Sequence, residues 1–490
     1  MLFNSYIFVL VFLPVCIIGY FLLNHFAEPY AGKLFLLGMS LWFYGYFNIV
    51  YLPIILVSMI VNYMVYVLLK SLWKPRVRMV LLILAIIIDI GILFYFKYYG
   101  FFAENINTVF RCDLTAKDLV LPLGISFFTF QQLSFVIDAY RREISDYHWL
   151  EYGLFVTYFP QLIAGPIVTH DQLISQFIDR DRGKINWNNM ASGLYLFALG
   201  MAKKVLIADT FGNAANWGFS NIGQLDSLSA FVTMLSYTFQ IYFDFSGYCD
   251  MALGMARMMN IDLPINFNSP YKSLTILEFW NRWHITLTRF FTKYVYIPLG
   301  GNRRGKGRTY INIMIVFIAS GFWHGANWTF LLWGMMHGIF SVITKMQRSF
   351  FERLPPFFSW FLTFGFINGS WIFFRADSVR DGLRLGWKIV NLKVTGIAGN
   401  LTDCFNLAEF RFLNRILANM TGIDILEQFP YFYLGLFLVG AAVCTLGKKN
   451  AYERMMDFSP TGGSLIITVT LLLWSICSFS GISTFLYFNF

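Results

Sequence analysis

The sequence predicts an all-α polytopic membrane protein, and three observations support this class. Of the 490 residues, 57% are hydrophobic and 13% are charged, whereas a soluble domain carries about 25% charged residues. Windows of roughly 20 apolar residues, the length that a helix needs to cross a bilayer, recur along the chain. The positive charges behind the net charge of +10 collect in short loops between these windows, which is typical of cytoplasmic loops rather than of a nucleic-acid-binding surface.

About ten of the apolar windows are expected to cross the membrane, and the others are expected to be re-entrant or broken segments. The first window predicts a span rather than a cleavable signal peptide, because no Lys or Arg precedes Lys33 and no small-residue cleavage site follows. The windows are 5–24, 34–50, 52–69, 79–96, 119–137, 153–168, 193–210, 228–247, 311–323, 328–345, 357–374, 430–446 and 464–480.

The positions of two basic loops predict that one window does not cross. Five windows separate the basic loop at 70–78 from the basic loop at 303–308, so five crossings would place these loops on opposite sides. If both loops are cytoplasmic, one window is interrupted, and 193–210 is the best candidate because it contains Lys203 and Lys204. Irregular backbone at membrane depth requires surrounding protein or a water-filled cavity, so an internal cavity is expected.

The chain is expected to form one integral membrane domain over residues 1–490. Residues 375–428 are the longest polar interval and predict an extramembrane cap with an amphipathic helix near 379–390, followed by C-terminal spans in 430–490. No internal repeat is visible, which counts against many transporter folds. The six cysteines form no CxxC pair, so neither a disulfide framework nor a zinc site is expected.

Residues 276–296 have the periodicity of an amphipathic helix. We expect this helix to lie in the headgroup plane, with its basic face toward water and His284 toward the protein or membrane. The polar face consists of Glu278, Arg282, Thr286, Arg289 and Lys293, and the apolar face of Trp280, Leu287 and Phe291.

Three of the six histidines, His284, His324 and His337, lie in aromatic and apolar surroundings. Ionisable groups within a membrane usually face a cavity or a pathway. For His25, His148 and His170, which border apolar windows or follow one, we expect surface or interface positions.

His324, in the stretch GFWHGANW, is interpreted as a general base or acid, because imidazole titrates near neutral pH. Gly321 and Gly325 are expected to leave room for a substrate beside its ring. The alternative is a neutral histidine that bonds two helices. His284 is expected to position a substrate or polarise a carbonyl, or else to be structural. His337 lies about 20 Å from His324 if the helix is continuous and shares its site only if the helix breaks.

Other sequence features are weaker evidence for a catalytic or metal-binding role. No HxxxH cluster occurs, so no metal site is expected. Cys249 suggests an acyl-thioester relay with a histidine, but no neighbour indicates an activated thiolate. The stretch 300–306 reads GxxxxGK, but Gly307 replaces the Ser or Thr of a phosphate-binding loop. This loop is interpreted as a basic cytoplasmic loop, with docking of an acidic acyl carrier as the alternative. Asp89, Asp244 and Asp250 are left open between structural and functional roles.

Several motifs together resemble the membrane-bound O-acyltransferase (MBOAT) family, and in particular its bacterial alginate O-acetylase branch. The resemblance runs in order over most of residues 1–378, with a core at about 110–378. The motifs are ILFYFKYYGFF, LPLGISFFTFQQLSFVIDAYR, FPQLIAGPI, YFDFSGYCDMALG, EFWNRWHITLTRFFTKYVYIPLGGNRRGK, GFWHGANWTFLLWGMMHG and GSWIFFRADS.

The resemblance implies a helical bundle around a central tunnel in the bacterial cytoplasmic membrane. An acyl group would pass through it from a cytoplasmic thioester, acetyl-CoA or an acyl-carrier thioester, toward an acceptor outside. His324 matches the family's catalytic histidine and His284 its second histidine. No bound cofactor is expected. We expect positioning roles along the tunnel or at the donor-docking surface for the following residues: Trp280, Trp283, Trp323, Asp244 and Asn327 along the tunnel, and Arg282, Arg303, Arg304 and Lys306 at the docking surface.

The family pattern also leaves questions open. Asn281 stands where the family usually has a first Arg, and Thr292–Lys293 replaces an Arg–Asp pair, which could alter donor docking or ion pairs. The expected acceptor is an envelope polysaccharide such as alginate, with peptidoglycan O-acetylation and teichoic-acid D-alanylation as alternatives. An extracytoplasmic acetyltransferase is the expected partner protein. A proton-coupled transporter or flippase that uses Asp89, Asp244 and the histidines is the competing class.

Overall fold

The computed structural model describes residues 1–115, 119–422, 424–479 and 485–486, which form a bundle of α-helices. These residues contain no β-strand, and their one isolated β-bridge joins Phe267 to Trp283. The all-α prediction is therefore confirmed. The last residue of the 464–480 window lies outside the described residues.

The described residues of the N-terminal half form twelve α-helices. They are α1 (Leu13–Phe26), α2 (Pro29–Phe47), α3 (Leu52–Ser71), α4 (Pro75–Leu93), α5 (Tyr99–Phe110), α6 (Ile125–Arg141), α7 (Trp149–Thr157), α8 (Phe159–Leu162), α9 (His170–Ile178), α10 (Trp187–Ala202), α11 (Asp209–Ser220) and α12 (Ser227–Met258).

The C-terminal half begins with two short helices and continues with longer ones. They are α13 (Ile276–Arg282), α14 (Ile285–Phe291), α15 (Gly305–His324), α16 (Trp328–Met346), α17 (Arg348–Arg353), α18 (Pro356–Arg375), α19 (Val379–Val390), α20 (Gly399–Asp403), α21 (Ala408–Thr421), α22 (Ile425–Gln428), α23 (Phe432–Leu446), α24 (Ala451–Met456) and α25 (Gly462–Cys477). Turns of π-helix precede α1, join α4 to α5 and α10 to α11, and follow α14; they are Phe8–Phe12, Phe94–Tyr98, Lys203–Ala208 and Thr292–Tyr296.

Five helical segments of the described chain are long and apolar enough to cross a membrane. They are Phe8–Phe26, Ile49–Ser71, Pro75–Phe110, Trp187–Ser220 and Pro356–Arg375. The chain is thus a multi-pass membrane protein, while the total of about ten spans remains a prediction. The single acidic residue of α4, Asp89, is buried and accepts a hydrogen bond from Asn62 Nδ2 at 2.8 Å. Because the Asp89 carboxyl group is buried and bonded to Asn62, the surface that α4 exposes is apolar.

The interrupted segment is the 153–168 window, and the prediction that 193–210 is interrupted was wrong. Helix α7 has nine residues and ends before Tyr158, and α8 has four. Neither is long enough to cross a bilayer alone. Every residue from 150 to 168 is buried, so protein surrounds the irregular backbone, as membrane depth requires.

Lys203 and Lys204 do not break their helix, because carboxylates of neighbouring helices neutralise them. A π-helical turn carries both lysines within the continuous segment Trp187–Ser220. The Lys203 Nζ lies 2.5 Å from an Asp250 carboxylate oxygen, and the Lys204 Nζ lies 2.6 Å from Asp244 and 2.7 Å from Asp209. Paired charges of this kind are tolerated inside a membrane bundle.

Helices α10 and α12 approach each other at two glycine pairs. A Cβ added at Gly200 would lie 2.6 Å from the Gly247 carbonyl oxygen, and one added at Gly193 would lie 2.6 Å from the Gly254 carbonyl oxygen. Both distances are too short for any side chain. Small residues at a helix interface allow this close backbone contact in membranes.

We expect Gly200→Ala to destabilise the protein by about 1–3 kcal/mol, because the added methyl group forces the two backbones apart. Thermal unfolding in detergent measures the effect. Gly365→Ala on α18 is the matched control, since no atom lies within 4 Å of the added Cβ. An unchanged melting temperature for Gly200→Ala would contradict the close contact.

Residues 276–296 form two short helices and a π-helical turn, so the single interfacial helix was a wrong prediction. The chain breaks at His284, whose backbone is left-handed with φ 45° and ψ 52°. Asn266 stabilises the restart: its carbonyl accepts from the Ile285 N–H at 3.0 Å, and its Oδ1 accepts from the Thr286 hydroxyl at 2.7 Å. Thr286 is consequently buried and does not lie on a water-facing surface.

The polar interval 375–428, which follows α18, is hydrogen-bonded to the N-terminus of α12. The Asp226 carboxylate accepts hydrogen bonds from the backbone N–H groups of Ser229 at 2.8 Å, Thr395 at 2.8 Å and Gly396 at 3.2 Å. Partial burial raises the pKa of Asp226, but these hydrogen bonds outweigh that effect and lower the pKa to about 2. Helix α19 covers the residues for which an amphipathic helix was expected.

Candidate active site

His324 is the last residue of α15 and marks a reversal of the chain. Gly325 follows in extended conformation, and α16 begins at Trp328 after Asn327 caps it by accepting the Thr329 N–H at 3.1 Å. The side chain of His324 is 3% exposed. A hairpin of two helices thus places an imidazole at its closed end.

The glycines around His324 serve close helix contact rather than substrate access, which corrects the prediction made for Gly321 and Gly325. A Cβ at Gly325 would lie 2.1 Å from the Phe330 ring, and one at Gly321 would lie 2.4 Å from the Phe330 carbonyl oxygen. The space beside each glycine is therefore already filled by α16.

His284 occupies the break between α13 and α14 and is fully buried, as predicted for a side chain that points into the protein. Its ring centroid lies 4.8 Å from that of Phe245 and 6.0 Å from that of Trp323. The Trp323 ring lies 4.8 Å from His324. One indole therefore contacts both histidines. A left-handed non-glycine residue is an unfavourable conformation that surrounding structure must hold.

His337 also belongs to this region, because the helix breaks at 325–327. Its Nδ1 accepts a hydrogen bond from Trp280 Nε1 at 3.3 Å, which leaves the proton on Nε2 for the Ser370 hydroxyl at 2.9 Å. Ser370 in turn donates to the Ile367 carbonyl at 2.8 Å. The expected separation of about 20 Å along a continuous helix does not apply. These contacts hold His337 as a neutral, positioned side chain.

Tryptophans fill the space between the histidines. Trp333 lies 5.2 Å from His324 and 4.7 Å from His337, and Trp371 stacks on Trp333 at 5.9 Å. Among the tryptophans chosen from the sequence, Trp280 contacts Trp333 at 5.7 Å and Trp283 contacts Trp371 at 5.1 Å. Trp280, Trp283 and Trp323 therefore belong to one aromatic cluster around the three histidines.

A small cavity of about 40 Å³ reaches His324. A single water molecule needs roughly 10–15 Å³ by the same measure, so this cavity has room for a group of a few atoms. Its walls include residues 121–127 and the side chains of Lys97, Ile163, Trp323 and His324. His284 does not line it. The imidazole of His324 thus borders open space.

A second cavity of about 950 Å³ is mostly polar. The Phe374 ring lines this cavity and also contacts His324 at 5.1 Å between ring centroids. Phe330 lines it as well and packs against Phe374 at 5.0 Å. Phe374 therefore connects the two regions, since its ring contacts His324 and the residue also lines the large cavity.

The family model of membrane-bound O-acyltransferases matches residues 37–379. The chain belongs to the MBOAT family. It is 39% identical to the peptidoglycan O-acetyltransferase of Helicobacter pylori, over 100% of this chain and 98% of that protein. It is 34% identical to a probable alginate O-acetylase of Pseudomonas aeruginosa, over 87% of this chain and 79% of that protein. The teichoic acid D-alanyltransferase of Bacillus subtilis is 27% identical over 50% of this chain and 62% of its own length.

These comparisons confirm the family resemblance found in the sequence and identify the protein as an O-acyltransferase enzyme. The protein is therefore an acyltransferase and not the proton-coupled transporter or flippase that was the competing class. In this MBOAT protein, Asp244 and Asn327 both line the large cavity. Asp244 is paired with Lys204 and accepts the Leu486 N–H at 2.9 Å, and the Asn327 amide donates to the Asp377 carbonyl at 3.1 Å.

The basic residues chosen for donor docking lie apart from the histidines. Arg303, Arg304 and Lys306 are exposed at the start of α15, a helix of 20 residues that is about 30 Å long. Arg282 pairs with Glu278 at 2.9 Å and donates to the Asn268 carbonyl at 3.2 Å. The structure therefore does not bring these cations together with His324.

The Thr292–Lys293 departure from the family pattern creates a local ion pair. The buried carboxylate of Asp138 lies 2.8 Å from Lys293 Nζ and accepts the Tyr294 hydroxyl at 2.7 Å. His170 Nε2 lies 3.4 Å from the same carboxylate. His170 is buried, so the surface or interface position expected for it was wrong. Cys249 is buried and accepts a hydrogen bond from Asn266 at 3.5 Å.

Lys97, Trp333, Trp371 and Phe374 were not chosen from the sequence. The spacing Trp333–His337 is i, i+4 on one helix and predicts that the two rings are neighbours. Lys97 directly follows the apolar window 79–96 and is followed by further aromatic residues, so the sequence already showed a charge close to the membrane interior. Within the part of the chain that the structure describes, no group of three or more His, Cys, Asp or Glu side chains could hold a metal ion.

Proposed function

We propose that this protein transfers an acetyl group from a cytoplasmic thioester to a hydroxyl group of an envelope glycan, with His324 as the general base. The observation that carries the proposal is the position of His324, which lines a small cavity and whose ring contacts Phe374, a residue that also lines a large polar cavity. Acetyl-CoA or an acyl-carrier thioester is the proposed donor.

His324 has the chemistry that this step requires. Its imidazole takes the proton of the acceptor hydroxyl while the oxygen attacks the acyl carbonyl carbon. The carbon–sulfur bond then breaks, and the imidazolium returns the proton to the leaving sulfur, so that a thiol departs. Aromatic rings surround His324, including Trp323 and Trp333, and a water-poor site strengthens hydrogen bonds to developing charge.

The small size of the cavity at His324 supports an acetyl group as the transferred unit. About 40 Å³ corresponds to roughly three water-sized positions, and an acetyl group has three heavy atoms. A longer acyl chain would require displacement of the cavity wall, which includes Leu123, Phe127 and Trp323.

Peptidoglycan is the preferred acceptor. The match to the peptidoglycan O-acetyltransferase of Helicobacter pylori runs over 100% of this chain and so includes the C-terminal third, for which the sequence motifs gave little. The match to the alginate O-acetylase covers 87% and makes an alginate-like polysaccharide the second candidate. Either polymer offers sugar hydroxyls outside the cytoplasmic membrane, which suits the polar walls of the large cavity.

Mass analysis of envelope glycans tests the proposal. We expect deletion of the gene to remove O-linked acetyl groups from muramic acid residues, and we expect the unchanged gene, but not a His324→Ala version, to restore them. Acetate loss from an exopolysaccharide instead would select the alginate-like acceptor. Unchanged acylation of every envelope glycan would overturn the proposed function.

A further inference from the structure

Lys97 lies at the end of α15 beside His324. The π-helical turn Phe94–Tyr98 carries it, and such turns are frequent at functional sites. Its ammonium donates to the Trp323 carbonyl oxygen at 2.6 Å and to the Ser126 hydroxyl at 3.3 Å. The next residue, Tyr98, donates its hydroxyl to the Phe322 carbonyl at 3.0 Å. Two consecutive side chains therefore bind two consecutive carbonyls, directly before the histidine.

The charge of Lys97 is not balanced by a described carboxylate. Several other partly or fully buried lysines have such partners: Lys33 pairs with Glu151, Lys203 with Asp250, and Lys293 with Asp138. Lys388 also binds only backbone carbonyls, but it lies outside the segments that are long and apolar enough to cross a membrane, whereas Lys97 lies within Pro75–Phe110. Within the described residues, no Asp or Glu oxygen lies within 4 Å of Lys97 Nζ. A cation at membrane depth is costly and is usually functional. The carbonyl end of α15 offers only partial negative charge.

The ammonium of Lys97 is positioned to serve a ligand in the small cavity. Lys97 and His324 both line that cavity, together with Ser126 and Gly124. An ammonium has three N–H donors, and the contacts to Trp323 and Ser126 use two of them. The third donor remains for a group that enters the cavity.

We infer that Lys97 is a further catalytic residue, whose ammonium donates a hydrogen bond to the oxygen of the acyl carbonyl. This inference rests on the proposed function, because it requires an acyl thioester in the cavity at His324. When the acceptor oxygen adds to the carbonyl carbon, the carbon–oxygen double bond becomes a single bond and its electron pair moves to the carbonyl oxygen. The ammonium stabilises this oxyanion without losing its proton. The electron pair then returns as the carbon–sulfur bond breaks. Lys97 has no carboxylate partner among the described residues, and the oxyanion would supply the missing negative charge.

Lys97→Met tests the assignment, with Tyr98→Phe as the matched control. Both substitutions remove one hydrogen bond to the last turn of α15, but only Lys97 lines the cavity. Purified protein in lipid discs is given acetyl-CoA as the donor probe and envelope material from a deletion strain as acceptor, and thiol release is measured. We expect Lys97→Met to lower kcat by about 10²–10³-fold, the loss seen when one oxyanion donor is removed. KM for acetyl-CoA and the kcat of Tyr98→Phe are expected to change little.

The outcomes separate this inference from the proposed function. If Lys97→Met retains the kcat of the unchanged protein, or if Tyr98→Phe loses as much as Lys97→Met, the catalytic assignment of Lys97 is wrong. If His324→Ala is fully active, the proposed function itself fails. An inactive His324→Ala protein together with an active Lys97→Met protein contradicts only the inference.

Infrared spectroscopy provides a test that does not depend on the folding of Lys97→Met. A carbonyl-labelled acetyl-CoA is bound to the unreactive His324→Ala protein, which retains Lys97. We expect the thioester carbonyl stretch to shift to lower frequency than in water-free solvent, because the ammonium polarises the carbonyl. We expect Lys97→Gln in the same background to reduce the shift, because a neutral amide is a weaker hydrogen-bond donor than an ammonium. A bound thioester without a shift in the Lys97 protein would overturn the inference.

Discussion

Replacement of His324 by alanine is expected to lower kcat for acetyl transfer by about 10²–10⁴-fold, the contribution of a positioned general acid or base. The acceptor hydroxyl would then have no group of the cavity wall to take its proton, since His284 does not line the cavity and His337 is held by Trp280 and Ser370. Both kcat and KM for acetyl-CoA are measured, so that loss of transfer is distinguished from weaker donor binding.

His25→Ala is the matched control for this substitution, because it removes an exposed histidine from the end of α1. We expect its activity to equal that of the unchanged protein. The melting temperature of His324→Ala in detergent is measured in parallel. A folded His324→Ala protein that retains full kcat would mean that His324 is not the base.

Gly325→Ala is expected to lower kcat by about 10²-fold, because a displacement of about 1 Å at a catalytic group can have an effect of this size. The new Cβ would lie 2.1 Å from the Phe330 ring, well inside contact distance. Phe330 packs against Phe374, so its ring has little freedom to move, and the turn that carries His324 must shift instead. The kcat for acetyl transfer and the melting temperature are the measurements.

A second substitution separates a shift of the turn from general damage. Phe330→Leu removes the ring that the added methyl group would strike, so the double variant Gly325→Ala/Phe330→Leu is expected to recover activity relative to Gly325→Ala alone. Failure to recover, with Phe330→Leu alone active, would contradict the steric account. Coupling between two residues in contact is what a double-mutant comparison detects.

The class of the fold and most helix positions could be predicted from hydropathy alone. Apolar windows give the spans, since every backbone polar group within a membrane must be satisfied internally. The interruption was assigned to 193–210 instead of 153–168, because a lysine in an apolar window indicates a broken helix unless its carboxylate partner is known. Lys203 and Lys204 are neutralised by Asp250 and Asp244 of α12, and these contacts join residues that are 40 or more positions apart.

In the active-site region too, features set by a short motif could be predicted, whereas features set by contacts between distant residues could not. The motif GFWHGANW singled out His324, but the break at 325–327 that brings His337 into the same region was not predicted from it. The left-handed backbone at His284 was not visible, because it depends on Asn266 binding the start of α14. A periodic pattern over 276–296 therefore predicted one continuous helix. The position of Lys97 beside His324 could not be predicted, because the Trp323 carbonyl that it binds is more than 200 positions away in the sequence.

Sidedness of transfer tests the central claim most directly. Inverted membrane vesicles expose the cytoplasmic face, receive acetyl-CoA labelled in its acetyl group on the outside, and enclose envelope glycan in the lumen. We predict that labelled acetyl appears on glycan in the lumen with the unchanged protein and does not appear with His324→Ala. Turnover of the donor without label on enclosed glycan, or equal labelling by both proteins, would contradict transfer through the membrane at His324.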